Sequence, residues 1–278
     1  MAILSLLAGA AVATAPVPVA PPQAPVVAVR SAPQHPALWV INDKDTIIYL
    51  FGTFHALDAK SDWFKQAVKT AFSASDQLML ETLIPDSLRG PVSSARPAIP
   101  NFGGKPGPIV KLAPSASSML ASSRTVMTAG RAGGMSTDSG ADAILRDAAE
   151  QSGKSVGGLE SFQFQIGMFN KLQDAPKASA PDPQSMRVLS QVLGQLEAAW
   201  NRGDIDAFAP LLLQMRAQSP ETYKTMFVER NARWAHWIAD RLKKPGTVFV
   251  AVGAGHLSGP DSVQNQLAAI GVGSARIN

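Results

Sequence analysis

The chain has 278 residues, of which 46% are hydrophobic and 17% are charged, so it holds enough apolar material for a globular core. It contains no cysteine, which excludes disulfide bonds, thiolate metal sites and cysteine nucleophiles. The formal net charge is +4, but the lysines and arginines are scattered and form no basic run interleaved with aromatic residues. We therefore expect no nucleic-acid partner.

The first 36 residues differ in composition from the rest of the chain. After Met1, an apolar stretch of about a dozen residues leads into small residues spaced A-x-A, as in an export signal. The stretch lacks a basic residue near Met1, and before Pro16 it is too short to span a bilayer as an ordinary helix. We expect residues 1–36 to be a signal-like segment with a proline-rich tail, and the protein to be periplasmic or secreted, with a membrane association through this segment. The alternative is a disordered alanine-rich tail.

A hairpin opens the remainder of the chain. Runs rich in β-branched and aromatic residues at 38–43 and 46–51 are joined by a polar turn. An apolar stripe at 61–72 predicts a helix, and the apolar run at 76–81 predicts a further strand. The order strand, helix, strand is typical of a right-handed crossover, so we expect the strands at 46–51 and 76–81 to be parallel neighbours.

A stretch rich in proline and glycine, at about residues 85–114, predicts a loop or lid. After it, the patterns predict a helix at 139–151, a strand at 155–160 and a helix after Glu160. The region at 183–243 is helical, with breaks near Gly203 and Pro220 and one long helix at 221–244. A strand at 247–253, a helix at 260–270 and a strand at 273–277 follow. We predict a single α/β domain over residues 37–278, with a largely parallel sheet flanked by helices, an N-terminal hairpin and the 183–243 helical segment covering a cleft.

Two segments of the chain share the pattern Gly-x-x-His. The sequence "GTFH" ends in His55 and "GAGH" ends in His256, and each follows an apolar strand. Glu81 ends another apolar strand. Because open α/β sheets bind ligands beyond the carboxyl ends of their strands, we expect these three side chains to converge on one cleft.

Two kinds of chemistry are open to such a group. Two imidazoles and a carboxylate suit a divalent ion such as manganese, cobalt or zinc, with His55, Glu81 and His256 as its ligands. Alternatively, one histidine acts as a general base toward water while a carboxylate fixes its tautomer. The spacing leaves both alternatives open.

Several blocks resemble, in the same order, those of the TraB/GumN family: "LWVINDKDTIIYLFGTFHAL", "DQLMLET", "GKSVGGLESFQFQ", "FVERNARWAHWI" and "VFVAVGAGHLSGPDSVQNQLAAIGV". The resemblance covers about residues 37–278. That family is related to the Tiki proteases and, more distantly, to erythromycin esterases and ChaN-like proteins, which place paired Gly-x-x-His elements, an acidic residue and an arginine around one cleft. The resemblance implies a site made of His55, Glu81, Arg230 and His256, with Glu160 as a further acidic candidate.

In the Tiki relatives the activity is metal-dependent peptide cleavage supported by manganese or cobalt. The resemblance therefore implies a hydrolase acting on a peptide or small-molecule substrate, in which Arg230 would bind a substrate carboxylate or stabilise an oxyanion. The alternative, from another class, is a non-catalytic exported binding or regulatory protein that retains the same cleft.

Overall fold

The structure, a computed structural model, describes residues 35–84, 114–172 and 181–277. The predicted signal-like segment, residues 1–36, lies almost entirely outside the described residues, and so does nearly all of the predicted loop at 85–114. Within the described ranges, no helix combines the length and the apolar character that crossing a membrane requires.

The described part of the chain alternates strands and helices. The strands are β1 (Leu38–Asn42), β2 (Thr46–Thr53), β3 (Leu57–Asp58), β4 (Gln77–Leu83), β5 (Met135–Ser136), β6 (Ser155–Ser161), β7 (Gly246–Gly253) and β8 (Ala275–Arg276). The α-helices are α1 (Gln66–Ala74), α2 (Pro114–Ala132), α3 (Ala141–Gln151), α4 (Phe162–Lys171), α5 (Pro183–Asn201), α6 (Ala209–Gln218), α7 (Pro220–Tyr223), α8 (Glu229–Arg241) and α9 (Val263–Ala269). The predicted α/β class is confirmed.

One sheet carries six strands in the order β6-β4-β7-β2-β1-β8. Strands β6, β4, β7 and β2 are parallel, whereas β1 is antiparallel to both β2 and β8. The predicted hairpin is the β1–β2 pair. Residues 248–253 of β7 are all buried, and this strand lies at the centre of the parallel part because its continuous apolar run suits a strand covered on both faces.

The prediction that the strands at 46–51 and 76–81 are neighbours is wrong. Both strands are parallel, but β7 lies between them, and its Val248 is paired with Ile48 of β2 on one side and with Gln77 of β4 on the other. Local spacing predicted the strand, helix, strand order and the parallel direction correctly, but it could not show that a strand much later in the chain lies between the two.

Helix α1 begins at Gln66 and not at residue 61. Trp63 is buried and stacks on Phe51 with a centroid separation of 5.5 Å, while Trp200 meets Trp63 edge-on at 5.6 Å. The extended backbone of Lys65 precedes the first helical residue. Residues 61–65 therefore stay outside the helix because burying a large aromatic ring in this cluster outweighs the weak helix propensity of a few residues.

The helical segment after residue 183 covers the sheet edge, as predicted. Its breaks occur near Gly203, where φ is +73°, and before Pro220. The predicted uninterrupted helix at 221–244 instead contains a π-helical turn at Lys224–Val228, in which the N–H of Glu229 bonds to the carbonyl of Lys224. Helix α2, which packs against α4 and α5, was not predicted because its serine- and alanine-rich sequence shows no clear apolar stripe.

Replacing Trp200 tests how the helical segment at 183–243, called the helical cover from here on, is attached to the sheet. The side chain is 1% exposed, and its Nε1 donates to the carbonyl oxygen of Gly52 at 2.7 Å. We expect Trp200→Phe to lower the free energy of unfolding by about 1–3 kcal/mol, since that carbonyl loses its donor. Urea unfolding followed by circular dichroism measures the change, with Trp237→Phe, at a partly buried tryptophan, as the matched control. Equal stability of Trp200→Phe and wild type would contradict this attachment.

Candidate active site

The carboxyl ends of the parallel strands meet at one edge of the sheet. Thr53 of β2 pairs with Gly253 of β7, so the two Gly-x-x-His segments leave adjacent strands at nearly the same level. On the other side of β7, Leu80 of β4 pairs with Ala251, which places Glu81 at the same edge. The predicted crevice is formed by this edge.

The structure brings His55, Glu81 and His256 together around Gly253. A Cβ built on Gly253 would lie 3.3 Å from Nε2 of His55 and 3.3 Å from Oε2 of Glu81. It would lie 3.6 Å from Cδ2 of His256. The missing side chain of Gly253 therefore leaves open the space into which the three groups point.

His55 is held by a carboxylate that the sequence patterns did not reveal. Its Nδ1 lies 2.6 Å from Oδ2 of Asp142, and the hydroxyl of Thr53 donates to the other oxygen of Asp142 at 2.9 Å. A carboxylate accepts, so the neutral imidazole carries its proton on Nδ1 and presents the Nε2 lone pair to the crevice. The side chain of His55 is 33% exposed, which leaves that lone pair accessible to water.

Asp142 reaches His55 because helix α3 starts against the His55 backbone. A Cβ on Gly140 would overlap the carbonyl oxygen of His55, so only glycine fits immediately before the helix. The N–H of Ala141 donates to the carbonyl of Phe54 at 3.0 Å. Asp142 then lies in the first turn of α3, where the helix dipole favours a carboxylate. The sequence shows an aspartate in the first turn of this helix, but it does not show that Asp142 bonds to His55.

His256 is in a different environment from His55. It is 4% exposed, and its Nδ1 lies 2.6 Å from Oδ1 of Asn231. The amide of Asn231 is oriented by its donation to the carbonyl of Asp261 at 2.7 Å, so Nδ1 of His256 is the donor and Nε2 is unprotonated. Burial, together with the charge of Arg230, holds the pKa of His256 well below its usual value against the opposing effect of Glu81.

Arg230 joins the two acidic candidates. It is 1% exposed, and its Nη2 lies 2.7 Å from both Oε1 of Glu81 and Oε2 of Glu160. Its Nε donates to Glu160 at 2.9 Å, and the half-exposed Arg233 donates to the same carboxylate at 3.0 Å. Two guanidinium groups thus balance two carboxylates, which is the pairing that buried charges require. Glu160, predicted as a secondary candidate, contacts Arg230 but is not among the residues that line the cavity at the sheet edge.

The remaining nitrogen of Arg230 is less tightly held. Nη1 lies 3.4 Å from Nε2 of His256 and 3.5 Å from the carbonyl oxygen of Met226, both long for hydrogen bonds. Arg230 also lines the cavity at the sheet edge. This nitrogen is therefore the part of the guanidinium that can turn toward a bound substrate.

Glu81 is ionised. Burial alone would raise the pKa of Glu81, but the charge of Arg230 above all holds it well below its usual range. The N–H of Gly253 also donates to its Oε2 at 3.1 Å, which favours the charged form. The crevice consequently contains a fixed negative charge near Nε2 of His55.

The predicted metal ligands His55, Glu81 and His256 have suitable donor atoms, but their side chains are not positioned to bind one ion together. In residues 35–84, 114–172 and 181–277, no group of three or more histidine, aspartate or glutamate side chains is arranged to hold a metal ion. The Arg230 cation also lies against Glu81 and His256, two of the three predicted ligands. Metal binding by His55, Glu81 and His256 stays a prediction.

The pKa of His256 makes stability depend on pH. The folded protein keeps this histidine unprotonated, whereas the unfolded chain protonates it near the usual value of 6.5. Below that value the unfolded state binds more protons than the folded state. Each unit by which the pH is lowered therefore reduces the free energy of unfolding by up to about 1.4 kcal/mol for this group. Urea unfolding between about pH 7.5 and pH 5.5 should show a shallower slope for His256→Gln.

The exposed His236 supplies the control for this measurement. His236→Gln, a substitution at an exposed histidine outside the cleft, should keep the wild-type slope. Identical slopes for wild type and His256→Gln would show that His256 is not held neutral.

Comparison with known proteins agrees with the sequence resemblance. The sequence model of the TraB/PrgY/gumN family matches residues 37–100 and 103–274, which is most of the chain. No curated protein and no solved structure gives a significant match. The matched region contains both Gly-x-x-His segments together with Glu81, Glu160 and Arg230. The chain therefore belongs to the TraB/PrgY/gumN family.

Proposed function

We propose that this protein is a hydrolase that cleaves peptide bonds, with His55 as the general base toward water. The observation that carries the proposal is the His55–Asp142 pair, in which the 2.6 Å contact fixes the proton on Nδ1 and directs Nε2 into a cavity. A base oriented in this way beside an ionised carboxylate is what activation of water requires.

The reaction follows from the positions of these groups. Water lying between Nε2 of His55 and Oε2 of Glu81 gives one proton to His55 and is oriented by Glu81. Its oxygen attacks the carbonyl carbon, and Nη1 of Arg230 donates to the developing oxyanion. When the C–N bond breaks, His55 returns the proton to the leaving nitrogen, and Asp142 stabilises the intermediate imidazolium.

His256 has a positioning role in this scheme. Its Nε2 lies 3.4 Å from Nη1 of Arg230, and its Nδ1 is fixed by Asn231. It therefore supports the guanidinium at the wall of the cavity and is not the group that takes the proton from water. The two histidines, although they end the same motif, perform different tasks.

Asp142→Asn separates catalysis from folding. An amide accepts or donates at this position, so Nδ1 of His55 is no longer reliably protonated and the base is misoriented. We expect cleavage to fall by about 10²- to 10⁴-fold with little change in unfolding free energy. Peptide-library digestion read by mass spectrometry, with and without added manganese, cobalt or zinc, measures the loss. Asp138→Asn, at an exposed aspartate close to α3, is the matched control.

The outcomes of that digestion are distinct. Full activity of Asp142→Asn would show that His55 is not the base. Absence of cleavage by the wild type under every metal condition would overturn the hydrolase proposal and favour the non-catalytic binding protein. Metal that co-purifies with wild type and is lost in His55→Gln would support the metal-dependent form of the reaction.

We also propose that the protein acts after export. Support comes from the apolar opening with its A-x-A spacing and from the absence of cysteine, which suits an oxidising compartment. Deleting residues 2–25 should retain the protein inside the cell, whereas the complete chain should appear in the periplasmic or secreted fraction. Equal distribution of the two forms on immunoblots would contradict export by this segment.

A further inference from the structure

The cavity at the sheet edge has two chemically different sides. The strand ends contribute its titratable groups, and the helical cover contributes an apolar surface. The cavity has a volume of about 100 Å³. Among the described residues that line it, only Thr53 and Gln165 are polar apart from His55, Glu81, Arg230 and His256. A ligand therefore meets charge on one side and hydrocarbon on the other.

The apolar side is built by helices α2 and α5, by the segment after α2, and by the turns that lead into α6 and α8. Its side chains include Val126, Met127, Met135, Leu193, Phe208 and Met226. Three of these are methionines, whose unbranched, polarizable side chains fill irregular space and adapt to different ligands. Such a surface favours hydrocarbon of variable shape and offers no counter-charge to an ionised group.

Gly130 shows that α2 leaves room in this wall. It is buried and lines the cavity, yet a Cβ there would meet only ordinary contacts, 3.6 Å from Sδ of Met135 and 3.8 Å from Cδ1 of Leu193. Helix geometry does not require glycine at this position, because alanine is favoured in helix interiors. The backbone would therefore accept alanine here, and glycine leaves room for one more carbon beside Met135 and Leu193.

We infer that this apolar wall receives the aliphatic side chain of the residue flanking the hydrolysed peptide bond, so that the substrates are peptides cleaved beside residues such as leucine or methionine. The inference rests on the proposed hydrolase function, since the wall and the His55–Asp142 pair belong to the same cavity. A substrate held by its side chain against α2 and α5 places its carbonyl next to the strand ends, where the water-activating groups lie. Aspartate or lysine at the same position is excluded, because the wall has no partner for a charge.

Peptides that differ only at the flanking residue test this specificity. We expect kcat/KM to rise about fourfold for each methylene added from glycine through alanine to leucine or norleucine. A charged residue should reduce it by at least about a hundredfold relative to leucine. Gly130→Leu fills the wall and should lower the leucine-to-alanine ratio at least about tenfold.

Two further variants complete the test. Gly194→Leu makes the same substitution at an exposed position of α5 with nothing within 4 Å of its Cβ, and should keep the wild-type ratio. Gly130→Ala adds one carbon with ordinary contacts and replaces Gly130→Leu in the test if that variant does not fold. It should lower the leucine-to-alanine ratio in the same direction by a smaller factor. Met127→Ala enlarges the wall and should shift the preference toward phenylalanine.

The inference and the proposed function fail in different ways. Cleavage that is indifferent to the flanking residue would overturn the aliphatic specificity and leave the hydrolase intact. If no peptide is cleaved, calorimetric titration with N-acetyl-leucine methylamide and its glycine analogue decides. Binding of the leucine analogue that Gly130→Leu abolishes and Gly194→Leu keeps would support the wall as a side-chain site. Failure of wild type to prefer the leucine analogue would contradict it.

Discussion

The buried guanidinium of Arg230 is the constraint on which the site depends. A cation that is 1% exposed must be compensated, and the compensation comes from two strands, through Glu81 on β4 and Glu160 on β6. This requirement fixes helix α8 against the sheet edge. Because Asn231 follows directly in the chain, the same docking delivers its amide to His256. One ion-pair network thus positions a helix, a carboxylate and an imidazole together.

The two Gly-x-x-His segments show how one motif can produce two environments. Both histidines have a fixed Nδ1 and an unprotonated Nε2, but a carboxylate fixes His55 and an amide fixes His256. The carboxylate can stabilise an imidazolium, whereas the amide and the adjacent Arg230 disfavour one. In the proposed reaction, proton transfer is therefore assigned to His55, and His256 is the histidine that lies beside the arginine.

Much of the fold was predictable because it is encoded locally. Apolar runs located the parallel strands, and Gly203 and Pro220 located the breaks in the helical cover. The convergence of His55, Glu81 and His256 followed from the rule that parallel strands end at a common edge. The insertion of β7 between β2 and β4 did not follow, since strand order depends on contacts between distant parts of the chain.

The residues that the sequence patterns missed act through tertiary contacts. Asp142 is 87 residues from His55 and reaches it only because Gly140 lets α3 approach the strand end. Asn231 was inside the family-like block but carried no chemical signal of its own beside Arg230. Trp63 lies outside the helix predicted for it and packs in an aromatic cluster that includes Trp200. In each case a long-range contact decides the role, and linear spacing does not report such contacts.

Membership of the TraB/PrgY/gumN family identifies the chain's relatives, and the cleft geometry supplies the chemistry proposed for it. In this geometry both cleft imidazoles keep Nε2 unprotonated: Nε2 of His55 faces the crevice, and Nε2 of His256 lies 3.4 Å from Nη1 of Arg230. Long-range ¹H–¹⁵N NMR of the imidazole rings, assigned with His55→Gln and His256→Gln, reads the tautomers directly. We expect the neutral rings of His55 and His256 to carry their protons on Nδ1. A proton on Nε2 of His55 in the neutral ring would contradict it.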